Sequence, residues 1–456
     1  MKTLLRGGTI YSRGQKAPGD VLIEDGLIAA VGDCRGLAGG ARVVEAGGCH
    51  VLPGLIDLHV HIDDVIGRYR LADTWESGSR TAAAAGITTL GGFIIQRPEE
   101  SLAAAVERAA GRAAGHSFCD YLWHLTPTRF SEADWTEILH HLESGRRTFK
   151  FYTTYRENGL YTSYARLQEI AERLGPGGAR ILVHAEDEDV LIRAKAKVAS
   201  GSPLRAADHA RLRPPEAELK AVERVAEIAA STGVWFHIVH VSTPEAAEAI
   251  LRAGDRMRAG ARLSCETAPH YIFLDDSWLR RKDGHRWLCT PPLRDPARVA
   301  RLREMAHAGA FDTYATDHCA FSVDDKDRGR DDLTAAPMGL AGIGSLPRLA
   351  FALDQERPER AFAEMSLRLA AHPARLAGLE ARKGALDPGL DADVAVFELT
   401  DREEPLSSGN AGSSETYPGF SSPLRLRHLF LRGRPLVTDG ERARAEAPSG
   451  RCLWTN

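Results

Sequence analysis

Short apolar runs recur along the middle of the chain, each bounded by polar or glycine-containing punctuation. They predict buried strands of a parallel sheet over residues 55–61, 87–95, 121–125, 148–152, 180–184, 234–241, 262–267 and 313–317. Stretches with helical spacing separate most of them. One runs from Asp73, with Glu76 as its capping partner, to Gly86. Another runs from Pro214-Pro215-Glu216 to Gly233, with Leu219, Val222, Val225, Ala226 and Ala229 on its core face. A third begins after Thr243-Pro244. Strands alternating with helices predict an α/β fold, a (β/α)8 TIM-like barrel, whose active sites lie at the C-terminal strand ends. Residues 274–296 interrupt the alternation as an irregular excursion.

The two chain ends follow a different pattern, of short strands and tight turns. Val21-Leu22-Ile23 leads into Asp25-Gly26, a strong hairpin signal, and Leu27–Gly32 returns. Near the other end, Val394-Ala395-Val396-Phe397 and the segment 429–437 repeat the theme. The expectation is one small β-sandwich domain built from residues 1–50 and 380–456, attached to a barrel of residues 51–379. The Ser- and Gly-rich stretch 406–417 is expected to be a mobile surface loop.

Composition narrows the partners. A net charge of −4, with basic residues scattered rather than clustered, gives no footprint for nucleic acid or an anionic membrane. No apolar stretch approaches membrane-spanning length, and Gly7-Gly8 arrive before any signal-peptide core could form. The cysteines are odd in number, widely spaced and without a Cys-x-x-Cys, which predicts reduced thiols in the cytoplasm.

The candidate chemistry sits on the strand ends. His59 and His61 close the first strand, two residues apart and therefore on one face. His184 ends the fifth, His240 the sixth and Asp317 the eighth, while Lys150 lies between Phe149 and Phe151 in the fourth. An isolated inward histidine is more often a hydrogen-bonded core residue. Four histidines and an aspartate converging on one barrel mouth favour metal, and they exceed the three protein ligands of a one-zinc catalytic site. Two dications also need a bridging anion. A lysine ammonium cannot ligate, but its carbamate can, and burial would leave the amine neutral enough to react with CO2. The alternative for Lys150 is a strand-end lysine reaching solvent.

The chain resembles the amidohydrolase superfamily and, within it, the hydantoinase/dihydropyrimidinase family of cyclic amidases. The resemblance rests on Gly54-Leu55-Ile56-Asp57-Leu58-His59-Val60-His61, Phe149-Lys150-Phe151 with Tyr155, and Cys265-Glu266-Thr267-Ala268-Pro269-His270-Tyr271. It also rests on Thr290-Pro291-Pro292-Leu293-Arg294, Thr316-Asp317-His318-Cys319-Ala320-Phe321 and Lys383-Gly384…Asp391-Ala392-Asp393. It implies two divalent metal ions, zinc or else manganese, cobalt or iron. His59, His61 and Asp317 would hold one and His184 and His240 the other, bridged by N6-carboxylated Lys150 and a hydroxide. Asp317 would double as general base, and Tyr155 would donate to the oxyanion, its alternative being a pocket-wall aromatic. The product would be an N-carbamoyl amino acid, and the assembly a homotetramer or dimer.

The resemblance also assigns substrate contacts to Tyr155, Thr290 and Met338. Thr290 stands where the family usually has serine, and Met338 replaces the usual asparagine. The loop 153–164 carries Arg156, Glu157, Leu160 and Tyr161 toward the mouth, where it either sets ring-substituent preference or is a plain solvated loop. Dihydroorotase-like and allantoinase-like activities are the alternatives. The first typically places an arginine directly after the His-x-His pair, where this chain has Ile62-Asp63-Asp64, with Arg68 and Arg70 close by. The allantoinase pattern after that pair is absent as well. A non-catalytic scaffold relative is the remaining alternative, and such relatives lose metal ligands that this chain keeps.

Overall fold

In the computed structural model, residues 2–198, 203–254, 262–410, 412–442 and 447–454 are described. Met1, Ala411 and parts of 443–456, on which some expectations above fall, lie outside them. Eight parallel strands form the centre: β1 (Leu55–Asp57), β2 (Ile87–Ile95), β3 (Asp120–Thr126), β4 (Thr148–Tyr152), β5 (Arg180–His184), β6 (Trp235–Ile238), β7 (Arg262–Thr267) and β8 (Thr313–Tyr314). Each is hydrogen-bonded to the next in chain order. Every residue of β2 but Ile95 is buried, as expected for a strand covered on both faces.

The ring is closed beyond the ends of β1 and β8. His318–Cys319 pairs in parallel with Val60–His61. The Asp57 carboxylate accepts hydrogen bonds from the Thr316 amide, at 3.1 Å, and from its hydroxyl. Three strands are therefore shorter than the sequence suggests. The first is interrupted at Leu58-His59, the sixth stops at Ile238 and the eighth at Tyr314. His240 and Asp317 adopt left-handed φ of 41° and 49°, which extended strand cannot contain.

The expected helices are present with one correction at a cap. The first spans Trp75–Ala85, capped by Thr74 with Ser77 as reciprocal partner, not by Asp73 with Glu76. Asp73 is turned inward instead, where His318 Nε2 lies 3.0 Å from its carboxylate. Gly86 closes this helix at φ 100°. Pro215–Thr232 follows the expected bounds, and Pro244–Gly254 begins at the expected Thr243-Pro244. The excursion before the last strand holds only the short turns Trp278–Arg280 and Gly284–Trp287 before the helix that starts at Pro296.

Strands from both chain ends join in one nine-stranded sheet. The seam is His50–Pro53, which runs parallel to Lys2–Ser12 and antiparallel to Val394–Pro405. Val21, Ile23, Val51, Val394, Val396 and Phe430 pack together in its core. Beneath it, the buried Lys383 ammonium lies 2.9 Å from Asp120 at the start of β3 and 3.4 Å from Asp391. The stretch 406–417 is not a free surface loop. Asn410 donates to Asp73, Ser414 to the Phe321 carbonyl, and Trp287 to the Thr416 carbonyl at 2.9 Å. All seven cysteines are unpaired, and only Cys452 is exposed. Among the described residues, no helix is long and apolar enough to cross a membrane.

Candidate metal centre

The first strand is laid in place by a glycine. A Cβ on Gly91 of β2 would come within 2.7 Å of the Leu58 carbonyl oxygen and 2.8 Å of His124 Nε2. Only a bare backbone allows that approach. The His124 ring in turn bonds the Leu58 carbonyl at 2.8 Å. Leu58 immediately precedes His59, so this contact fixes where the His59-x-His61 pair begins.

The ligand atoms then gather. His59 Nε2 lies 3.2 Å from Asp317 Oδ1 and His61 Nε2 lies 3.5 Å from the same oxygen. One ligand atom from each of these three residues falls within 4.8 Å of the others. Facing them, His184 Nδ1 and His240 Nε2 are 2.9 Å apart. The rings of His59 and His240 approach to 5.4 Å, so the two groups are neighbours.

Lys150 lies with them. Its side chain is buried, its Nζ has no hydrogen-bond partner, and the rings of Phe93 and Tyr152 flank it at 5.4 and 5.3 Å. Burial pushes the amine down to about 7. Its charge is felt by His61 in one group and by His184 and His240 in the other.

The electrostatics suit cation binding. Burial lowers His61, takes His184 to about 4 and holds His240 well below its ordinary value, so these rings are neutral with free lone pairs. Burial opposes ionisation of Asp317, but His59 and His61 hold its carboxyl well below the usual range. An orphaned amine, neutral imidazoles and an ionised carboxylate form a donor set that fits divalent cations plus a lysine carbamate. His240, Asp317 and Tyr155 all sit at left-handed φ, a backbone strain typical of sites whose surroundings over-determine them.

Two carboxylates whose role no motif revealed orient these candidate ligands. Glu266 of β7 accepts from His59 Nδ1 and lies 3.3 Å from His237 Nε2. Glu186 lies 2.7 Å from His184 Nε2 and is gripped by Arg213. Glu186 follows His184 by two residues, and Glu266 lies within Cys265-Glu266-Thr267-Ala268-Pro269-His270-Tyr271. Spacing was the available signal, and a carboxylate beside a ligand does not reveal by spacing that it serves the ligand.

The substrate-side residues line one cleft of about 260 Å³ with Tyr155, Arg213, Thr290 and Met338 in its walls. Its apolar side is made by Leu191, Ile192, Leu204, Leu212 and Leu333. Tyr155 packs on His184 at 5.0 Å with the Arg213 guanidinium 5.2 Å above its ring. Burial raises its phenol, which stays a proton donor. Arg156 and Glu157 reach the cleft, whereas the Tyr161 ring lies under the Arg156 guanidinium at 4.0 Å. Arg68 stacks on Tyr69 at 5.1 Å and Arg70 pairs with Asp63 at 3.6 Å, and neither lines the cleft.

Comparison with known proteins agrees with this geometry. Residues 50–436 match the amidohydrolase family. The chain is 30% identical over 455 residues to a D-hydantoinase of Streptomyces coelicolor, covering 96% of this chain and 95% of the other. It is 31% identical over 449 residues to a D-hydantoinase of Ralstonia pickettii, covering 96% of each. Among solved structures, a dihydropyrimidinase from Brevibacillus agri superposes with a TM-score of 0.91 at 27% identity, over 100% of this chain and 99% of that one. An L-hydantoinase from Arthrobacter aurescens gives 0.87 at 25%, over 98% of each. The chain belongs to the amidohydrolase family, in its branch of hydantoinase- and dihydropyrimidinase-type hydrolases.

Proposed function

We propose that the protein hydrolyses the ring C–N bond of a five- or six-membered cyclic ureide, of hydantoin or dihydropyrimidine type, to an N-carbamoyl amino acid. The observation that carries this reading is the buried, unpartnered Lys150 amine flanked by two groups of neutral or anionic ligand atoms. His59, His61 and Asp317 would hold one divalent cation and His184 and His240 a second. Lys150, N6-carboxylated by CO2, would reach both. Zinc is the proposed metal, with manganese, cobalt or iron in its place as alternatives. When bound, such a pair acidifies water and polarises the scissile carbonyl.

The chain's own residues divide the remaining work. Asp317, ionised, would take the proton of the attacking water and return it to the leaving ring nitrogen. Tyr155, whose phenol stays protonated, would donate to the carbonyl oxygen as charge develops there. Thr290 and Met338 border the cleft where the ring would lie, and the backbone there can read an imide edge whatever the side chains are. The engagement of Arg68 with Tyr69 and of Arg70 with Asp63 argues against an anionic ring such as dihydroorotate.

We further propose a cytoplasmic enzyme, which the seven unpaired thiols support, acting as a homotetramer or dimer. Residues 1–50 with 380–456 would form one unit and 51–379 the other. A spectrophotometric panel of dihydrouracil, hydantoin, 5-substituted hydantoins, allantoin and dihydroorotate tests the function. Chelator-sensitive opening of a hydantoin or dihydrouracil is expected. Folded, metal-loaded protein that opens none of them would overturn the reading, and folded protein that binds no metal would favour a scaffold.

A further inference from the structure

Lys326 is a buried cation that the proposed reaction leaves without a task. It lies in the short helix Val323–Asp327, and only 1% of it is exposed. Its Nζ donates to the Leu288 carbonyl at 2.8 Å and to the Pro337 carbonyl at 3.0 Å. The titratable groups acting on it are the thiols of Cys289 and Cys319 rather than a carboxylate. Burying an ammonium without a counter-charge is costly. A methionine could fill the same space without that cost, so the two hydrogen bonds are what a lysine adds there.

Both accepting carbonyls lie just before cleft residues. Leu288 stands two residues ahead of Thr290, and Pro337 directly precedes Met338. The same Leu288 carbonyl accepts from the Gly339 amide at 2.9 Å, so the two segments are already in contact. Gly339 itself has φ 154°, and a Cβ there would come within 2.6 Å of the Cys319 carbonyl oxygen. The helix that carries Lys326 is tied to the first segment by Asp327, which accepts from His285 at 2.9 Å and from Arg286 at 2.7 and 2.8 Å. Three stretches of chain thus meet at one ammonium group.

We propose that Lys326 is a positioning residue, which sets the separation of the two backbone edges at Thr290 and Met338 that border the ring and thereby governs substrate affinity. This rests on the reading of the cleft as a cyclic-ureide site. A flat ring with alternating donors and acceptors can be read by two backbone edges only when their spacing is held.

The test compares K326M and K326Q with the wild-type protein. It measures kcat and KM on the preferred ring, metal content, and hydrogen exchange of peptides spanning residues 286–292 and 336–341. K326M is expected to keep its metal and its kcat while KM rises about tenfold or more, the pattern of lost uniform binding. Exchange should quicken in both peptides. K326Q keeps two N–H donors, should fall between, and carries the test if K326M does not fold. A folded variant with wild-type KM and exchange would overturn the proposal. So would one that loses metal and kcat at unchanged KM, since Lys326 would then act through the metal centre. If the wild-type protein opens no ring, the proposed reaction fails, while the exchange rates still decide whether Lys326 holds the two segments.

Discussion

The Nδ1 of His184 and the Nε2 of His240 face each other at 2.9 Å across the barrel mouth, 56 positions apart in the chain. The Glu186 carboxylate takes the other nitrogen of His184 at 2.7 Å. An ionised carboxylate only accepts, so the His184 proton belongs on Nε2 and its Nδ1 lone pair is bare. For His240, moving the proton to Nδ1, an atom with no hydrogen-bond partner, would free the second lone pair. Both nitrogens could then turn to one cation without any ring moving far.

This arrangement makes Glu186 the orienting group for His184. Glu186→Gln removes the charge that fixes the His184 proton. Metal affinity is expected to fall about 10- to 100-fold, the usual cost of losing a carboxylate behind a ligating imidazole. Metal titration of the purified variant checks it, and an unchanged affinity would return Glu186 to a purely structural pairing with Arg213.

Asp317→Asn keeps the backbone, because asparagine tolerates the left-handed φ of 49° found there. It removes the proton acceptor. Turnover should be abolished while the circular dichroism spectrum and melting temperature stay near those of the wild type. Near-native kcat would rule out Asp317 as the base.

Tyr155→Phe deletes one hydroxyl from a wall of the cleft. If the phenol stabilises developing charge, kcat should drop about 10²- to 10³-fold with little change in KM. Should KM rise instead at constant kcat, the tyrosine is a ring contact and not an oxyanion donor.

The Lys150 amine lies near pH 7 instead of the ordinary 10.5 because burial disfavours its charged form. A lowered lysine value means that the neutral, nucleophilic amine predominates above about 7 and is lost to protonation below it. Metal-stripped protein given zinc at a fixed concentration of dissolved CO2 should therefore recover activity faster as pH rises through about 7. A rate that climbs only toward pH 10 would show an ordinary solvated lysine.

Much of this was legible in the sequence, and the departures have physical causes. The strands at 87–95, 148–152, 180–184 and 262–267 coincide with the expected bounds, and the first shows why, since burial on both faces demands a nearly uninterrupted apolar pattern. The strand at His59 is interrupted there, and those leading to His240 and Asp317 end early because the left-handed φ at both residues is backbone that a strand cannot contain. The candidate ligands could be named because few other roles place so many histidines at strand ends. Glu266 and Arg213 could not, because their partners come from distant elements; Glu186 could not, because standing two residues from His184 does not reveal that its carboxylate serves that ring. The stretch 406–417 misled for the opposite reason. A Cβ on Gly344 would come within 2.3 Å of the Ser407 carbonyl oxygen, so small residues there mark close packing rather than freedom.

The most direct measurement is 13C NMR of zinc-loaded protein prepared in 13C-bicarbonate, with metal content determined on the same sample. A carbamate resonance is expected in the wild-type protein together with about two metal ions per chain, and it should vanish in Lys150→Ala along with activity. Full activity without any carbamate signal, or an active Lys150→Ala variant, would contradict the account.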